Sequence, residues 1–561
     1  MSSPNLKRFL TGLRRHQWRH RSGRGHRSHP KTTHYEHPNR PGVIKYNFVS
    51  VLVGYNLGAR IRKPRTVKVV CKKEEGVEQR EGGFLAEARD TMLVLARLAT
   101  VAWVITGLLA MYLITRLTHP SSFPTVLRKG IEFLGPIFVK FGQWVSTRRD
   151  IFPRDVCDAL SQLQRNATPH PWSFTERLLV ETYGSTWRKL FLRFDDAGPI
   201  GSGCCAQVYK AWVDSNATFT SNFQTSHFME NEIYDKIDDF APAGPCARKL
   251  QAVAVKVLHP GIKGQLKRDI AVMRGLSKCA TYLIPKLHWL SLTDCVDEFA
   301  RLMENQVDMR LEASNLARFS ANFLKRNDVT FPRPYAGLTH REILVESFHE
   351  GTPISDYLEH DDAALQRRLA KIGITAVLKM VFRDNFIHCD LHPGNILVEK
   401  AVVPKASLFN TFRRVITLDY VAHNPRLIIL DCGLVVSLND RCRQNLRDVF
   451  YSVLMRNGEM VAQHILDHSS YATPDPDGFK SSIKNIVETH LRNSFRNVNV
   501  STVVSELFSA MVRHRVKHDG SFSNVILSVM VIEGLGRCLD PDVDMLAELL
   551  PYVLVNGVRG E

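Results

Sequence analysis

The segment Ile387-His388-Cys389-Asp390-Leu391-His392-Pro393-Gly394-Asn395-Ile396-Leu397-Val398, answered by Leu427-Ile428-Ile429-Leu430-Asp431-Cys432-Gly433, constrains this chain more than any other. Ile396-Leu-Val and Leu427-Ile-Ile-Leu have the composition of buried strands, so two acids and an amide are delivered at strand ends. Moving a phosphoryl group from a magnesium nucleotide requires one carboxylate near the attacking hydroxyl or water, and hard oxygen ligands for the metal. Asp390 suits the first task, and Asn395 with Asp431 the second.

The order Asp, an Asn five residues on, a strand and then Asp-x-Gly is that of the protein-kinase catalytic and metal-binding loops. The residues between resemble the His-x-Asp-Leu-His-Pro-Gly-Asn hallmark of the UbiB family, the aarF-domain-containing atypical kinases. That resemblance extends over residues 125–460. It implies an α+β, protein-kinase-like two-lobed fold with a helical N-terminal extension at 125–190 and an N-lobe at 191–350. A mostly helical C-lobe follows at 351–560.

Upstream, Gly201-Ser202-Gly203-Cys204-Cys205-Ala206-Gln207-Val208 reads as a strand, a turn of small residues and a return strand. Small residues let a backbone close over phosphates and offer its N–H groups, so Gly201, Ser202, Gly203, Ala206 and Val208 are nucleotide-binding candidates. A plain hairpin is the competing reading of this loop taken alone. Most relatives have an alanine-rich loop here, so Gly201 and Gly203 are departures from the pattern. A polar stretch, 212–250, reads as an insertion between strands.

Ala252-Val253-Ala254-Val255-Lys256 then resembles the kinase Val-Ala-Ile-Lys strand. Buried Lys256 needs an acid, and Glu312, from a single helical segment 303–315, is the expected partner. The backbone of Ile343-Leu-Val-Glu346-Ser-Phe348 is the expected hinge, with Glu346 and Phe348 bonding the base. Two family motifs complete the set. Lys140, Gly142 and Gln143 resemble the Lys-x-Gly-Gln extension, which the resemblance folds over the cleft. Gln306 and Asp308, ahead of Glu312, stand where the family has Glu-x-Asp, so a Lys140 ion pair with position 306 becomes at best a hydrogen bond.

The net charge of +18 is concentrated in residues 1–73, where 18 Lys and Arg face the single acid Glu36. The amphipathic, Arg-rich start has the composition of a mitochondrial transit peptide, with a solvated tail or a membrane-surface helix as alternatives. Because the folded part is nearly neutral, no nucleic-acid partner is expected. The 11 cysteines form no C-x-x-C pair, which fits a reducing compartment. Leu98 to Thr115 is uncharged, and 91–116 is expected to span a membrane once, in the mitochondrial inner membrane. A helix buried against the domain is the alternative.

Three residues depart from ordinary protein kinases. Cys389 replaces an activation-loop-sensing arginine, His392 a lysine, and Cys432 a phenylalanine. Only seven residues separate Gly433 from a helical run beginning at Arg441, with Asp440 its expected cap. That leaves no room for a peptide-docking segment, so a protein substrate is not expected. The resemblance implies ATP and Mg²⁺ as cofactors, Asp390, Lys256 and Glu312 as catalytic residues and Asn395 and Asp431 as metal ligands. It further implies a small-molecule or lipid acceptor, with membrane lipids and coenzyme Q biosynthetic enzymes as partners. A nucleotide-binding scaffold without turnover is the rival reading.

Overall fold

The computed structural model describes residues 65–69, 84–118, 122–148, 154–163, 169–214, 217–221, 250–284, 291–359, 362–399, 425–469, 473–491, 498–516 and 520–554. The basic tail through residue 64 and most of the 212–250 insertion therefore lie outside the described residues. Two short strands, β1 (Arg65–Val69) and β5 (Ala217–Ser221), pair in parallel.

The first helix, α1 (Phe84–Thr118), contains the apolar run. It is long and apolar enough to cross a membrane. Met92, Trp103, Leu109, Leu113 and Leu117 are exposed along it, while Val101, Val104 and Thr115 are buried. Its N-terminal half is held by Arg97, which bonds both carboxylate oxygens of buried Asp269. Helix α2 (Phe123–Leu134) runs back alongside α1, pairing Tyr112 with Phe123 and Trp103 with Phe133. Gly135, at φ +93°, turns the chain into α3 (Pro136–Thr147), and α4 (Arg154–Leu160) follows.

The small lobe is one antiparallel sheet, ordered β2 (Arg193–Phe194), β4 (Ala206–Asp214), β6 (Leu250–Leu258), β8 (Ile343–Ser347), with β3 (Gly201–Ser202) on β4. Because side chains alternate, its two faces differ. Tyr209, Val253, Val255 and Val345 pack under α5 (Trp172–Tyr183) together with Trp187 and Phe191. Ala206, Leu258 and Leu344 face the main core, together with α6 (Ile262–Leu283).

The expected single helix over 303–315 is two. Helix α7 (Leu292–Gln306) ends at Val307, and α8 (Met309–Phe323) starts after Asp308, whose extended backbone and carboxylate cap the Arg310 amide. A capping carboxylate competes with helix continuation, so Asp308 and Glu312 do not share one helical face. Asp308 instead holds Arg310 and Arg341.

In the large lobe, β7 (Val329–Thr330), β12 (Arg426–Ile429), β11 (Ile396–Glu399) and β9 (Thr352–Pro353) form a second sheet in that order. Ile396 pairs with Ile429, which sets the residues before β11 beside those after β12. A small ladder of β10 (Ile387–His388) with β13 (Val435–Val436) ties the same loops together from the other end. Helix α9 (Ala363–Leu378) supports this sheet and ends in a π-turn at Lys379–Asp384. Six helices complete the lobe: α10 (Asp440–Leu454), α11 (Gly458–Asp467), α12 (Pro476–Leu491), α13 (Val500–Arg513), α14 (Gly520–Leu539) and α15 (Met545–Leu554). The cap of α10 is Asn439, whose Oδ1 accepts from the Cys442 amide at 2.7 Å, and not Asp440.

Candidate functional site

Lys256, on the cleft face of β6, places Nζ 2.8 and 3.0 Å from the two carboxylate oxygens of Glu312 and 2.8 Å from Asp431 Oδ1. One ammonium thus joins the small lobe, α8 and the loop after β12. Burial works to lower Lys256, but Asp431 and Glu312 outweigh it and hold the ammonium well above its ordinary value. Burial likewise opposes ionisation of Asp431, yet Lys256 keeps that carboxyl well below the usual carboxylate range. Glu312 is pushed by burial up to about 7 against the pull of Lys256.

Asp431 sits at φ +53°, a left-handed conformation that a non-glycine residue adopts at a cost of about 1 kcal/mol or more. Its loop is held by Asn315 of α8, whose amide donates to the Cys432 carbonyl at 2.9 Å. Gly433 lies close enough that an added Cβ would sit 3.4 Å from Asp431 Oδ1 and 3.6 Å from Glu312 Oε2.

Asp390 is met by Lys140, whose Nζ lies 3.0 Å from Oδ2. Against the upward push of burial, Lys140 holds the Asp390 carboxyl below its ordinary value, while the charge of Asp431 works the other way. The Asn395 amide nitrogen donates to the Asp390 backbone carbonyl at 2.9 Å, which commits its nitrogen and leaves its carbonyl oxygen as the metal-binding atom. Buried His388 locks the two loops together. Its Nε2 donates to the Leu430 carbonyl and its Nδ1 accepts from the Asp390 amide, so it is the neutral Nε2–H tautomer.

Several expectations are corrected. Lys140 pairs with Asp390 and not with position 306, because the helix break at Asp308 sets the register of α7 independently of α8; the Gln306 Oε1 atom is buried without a hydrogen-bond partner. Gln143 Nε2 donates to the Leu163 carbonyl at 3.5 Å, and Gly142 is a packing glycine, since a Cβ there would come 2.4 Å from Leu163 Cδ1. His392 caps the turn at Pro393–Asn395 by accepting from the Gly394 amide. The expected hinge backbone belongs to the sheet: Phe348 N–H donates to the Ala252 carbonyl and Ser347 N–H to that of Arg333, because β8 keeps pairing past Glu346. Cys389 and Cys432 are pushed up by burial, Cys389 to about 12, and are poor nucleophiles.

The small-residue turn carries its own support. Gly203 N–H bonds the Ala206 carbonyl, and a Cβ at Gly201 would meet nothing within 4 Å. The Gly203 carbonyl accepts from His259 Nε2 at 2.8 Å, which forces His259 Nδ1 to accept from His170 Nδ1, also at 2.8 Å. His170 Nε2 then accepts from Thr175, which meets Tyr209. Sequence reasoning missed this chain. His259 lay in plain view beside Lys256, while nothing in the local sequence marks His170.

Magnesium is bound through one or two protein oxygens when nucleotide phosphates supply the rest. The Asn395 carbonyl oxygen and the firmly ionised Asp431 fit that need. Among the described residues no three His, Cys, Asp or Glu side chains converge as an all-protein metal cage. The two lobes, the Lys256–Glu312 pair and the Asp390, Asn395 and Asp431 set define a kinase-like protein. The ABC1 atypical kinase-like domain matches residues 247–465, and the UbiB helical domain matches residues 483–544, together half of the chain. The chain belongs to the ABC1/UbiB family of kinase-like proteins.

A mitochondrial ABC1 family protein of Schizosaccharomyces pombe is 31% identical over 455 residues, 75% of this chain and 64% of that one. The Dictyostelium discoideum protein called "Probable serine/threonine-protein kinase abkC" is 30% identical over 482 residues, 77% and 65% respectively. This chain therefore spans just under two thirds of each. The solved complex of Rv3197 with erythromycin from Mycobacterium tuberculosis aligns with a TM-score of 0.40 at 16% identity, covering 72% of this chain and 90% of that one.

Proposed function

We propose that the protein is an ATP- and Mg²⁺-dependent atypical kinase or ATPase that acts on a small-molecule or lipid acceptor at a mitochondrial membrane, in support of coenzyme Q biosynthesis. The observation that carries this reading is the Lys256 ammonium bonded to both Glu312 and Asp431, beside Asp390 and Asn395. Lys256 would bind phosphate oxygens, Glu312 would hold it in place, and Asp390 would orient or deprotonate the acceptor. Asn395 and Asp431 would hold Mg²⁺, which neutralises charge on the phosphates when bound. The exposed apolar residues of α1 support attachment to lipid, and the mitochondrial name of the fission-yeast relative supports the compartment.

The Lys140–Asp390 ion pair favours a second reading, a nucleotide-binding membrane scaffold, because it neutralises the acid that turnover needs. Mg-ATP hydrolysis by the full chain in lipid nanodiscs, beside Asp431→Asn, separates the two. Hydrolysis that falls at least 100-fold in the variant supports the enzyme. Equal rates in both defeat it.

A further inference from the structure

Glu346 is the fourth residue of β8, within its antiparallel pairing with β6. It stands opposite Ala254, and Leu344 stands opposite Lys256. Cross-strand partners and residues two apart share a face, so the Glu346 side chain projects on the same side as the Lys256 ammonium. Its Oε2 is buried and has no hydrogen-bond partner. The electrostatic neighbours of its carboxyl are Glu312, Lys256 and Asp431, and burial with Glu312 beside it pushes the group up to about 8.

A buried carboxyl oxygen without a partner is destabilising, and Leu or Met at this place on the sheet would relieve that cost. The group therefore stands at a cost to folding stability, as happens where a partner arrives with a ligand. A donor brought by the ligand favours the ionised carboxylate, which only accepts, so the partner it calls for is a hydrogen-bond donor. Backbone amides that would ordinarily meet a base at this level are committed, Phe348 N–H to Ala252 and Ser347 N–H to Arg333. The Glu346 carboxyl is a side-chain polar group that β8 turns toward the cleft, two residue pairs along the sheet from Lys256.

Resting on the nucleotide reading above, we propose that the Glu346 carboxyl accepts a hydrogen bond from the exocyclic amine of a bound 6-aminopurine nucleotide and is the residue that distinguishes this base from 6-oxopurines. The amine fills an acceptor that is otherwise orphaned. A 6-oxo group brings a second acceptor to the same place. Discrimination of this kind is strong because the wrong base leaves buried polar atoms unpaired on both sides.

The test is binding of ATP and of inosine triphosphate, which differ at the 6-position and the adjoining ring nitrogen, to the full chain in nanodiscs by titration calorimetry. Wild type is expected to prefer ATP by about tenfold. Glu346→Met is expected to bind the two within about twofold of each other and to unfold at higher temperature. Glu346→Gln offers an amide N–H as well as an oxygen and can turn either to the base, so it is expected to lose the preference too; an unchanged ratio in it overturns the assignment even where the Met variant fails to fold. Equal affinities in wild type, or an unchanged ratio in Glu346→Met, overturn the assignment while leaving nucleotide binding intact. Binding of neither nucleotide by wild type overturns the nucleotide reading itself.

Discussion

The Lys140 ammonium, carried on a helix that precedes the small lobe, lies 3.0 Å from the Asp390 carboxylate in the large lobe. The extension is thereby tied to the acid that an acceptor hydroxyl must meet. Lys140→Met removes the main influence holding Asp390 below its ordinary value, and leaves burial and the Asp431 charge to push it upward. A catalytic carboxylate must be ionised to act as a base, so the acidic limb of the pH–rate profile for ATP hydrolysis is expected to move to higher pH in Lys140→Met. An unshifted limb would mean that Lys140 does not act through Asp390.

Lys256 neutralises two acids at once, and its loss leaves Glu312 and Asp431 facing each other without a cation. Breaking such a buried arrangement costs about 3 kcal/mol. Glu312, already pushed up to about 7, answers by retaining a proton in Lys256→Met. A folded-state carboxyl raised above its unfolded value contributes stability that is lost as pH rises. The deficit of Lys256→Met against wild type is therefore expected to be larger at pH 8 than at pH 6, measured by urea unfolding, and equal deficits would refute the coupling.

The His170–His259 pair predicts pH dependence of the opposite sense. Burial and the neighbouring His259 push His170 down to about 4, and burial lowers His259 as well, from an ordinary 6.5. Between those values the unfolded chain binds more protons than the folded one. Stability from this pair is full above about 6.5 and falls as pH drops toward 4. A proton on His259 Nδ1 also removes the acceptor of the His170 N–H, while the Nε2–H bond to the Gly203 carbonyl is kept. Thermal melts of wild type and His170→Gln between pH 7 and 4.5 are expected to converge as pH falls.

Much of the site was legible because it is built from short local motifs on strands. Ile396-Leu-Val and Leu427-Ile-Ile-Leu are apolar enough to be central strands, and their pairing brings Asp390, Asn395 and Asp431 to one edge. The Lys256–Glu312 contact followed from the cost of burying an ammonium without an acid. What escaped was register between distant elements. Nothing near Lys140 says that it reaches Asp390, 250 positions away, or that Glu346 turns its side chain inward while its neighbours' amides stay in the sheet. The break at Asp308 was missed because a capping Asp and an exposed helical Asp look alike without the φ angle that separates them.

The helical region behind the large lobe forms an apolar, partly open pocket of about 60 Å³, lined by residues of α10, α11, α13, α14 and α15, Val449, Ile465, Val503, Ile526 and Leu546 among them. Side chains lining such a space forfeit dispersion contacts on the side that faces it. Val503→Ile adds one methylene toward the space and is expected to raise the free energy of unfolding by about 1 kcal/mol, and Val503→Ala to lower it by about 2 kcal/mol. Urea unfolding of the three proteins reads both signs, and a loss in the Ile variant would mean that the surrounding helices are already at their packing limit. Since none of these residues touches Lys256, Asp390, Asn395 or Asp431, Mg-ATP hydrolysis by Val503→Ile is expected to match wild type. A fall in its lipid stimulation alone would instead mark the cavity as the seat of an apolar ligand.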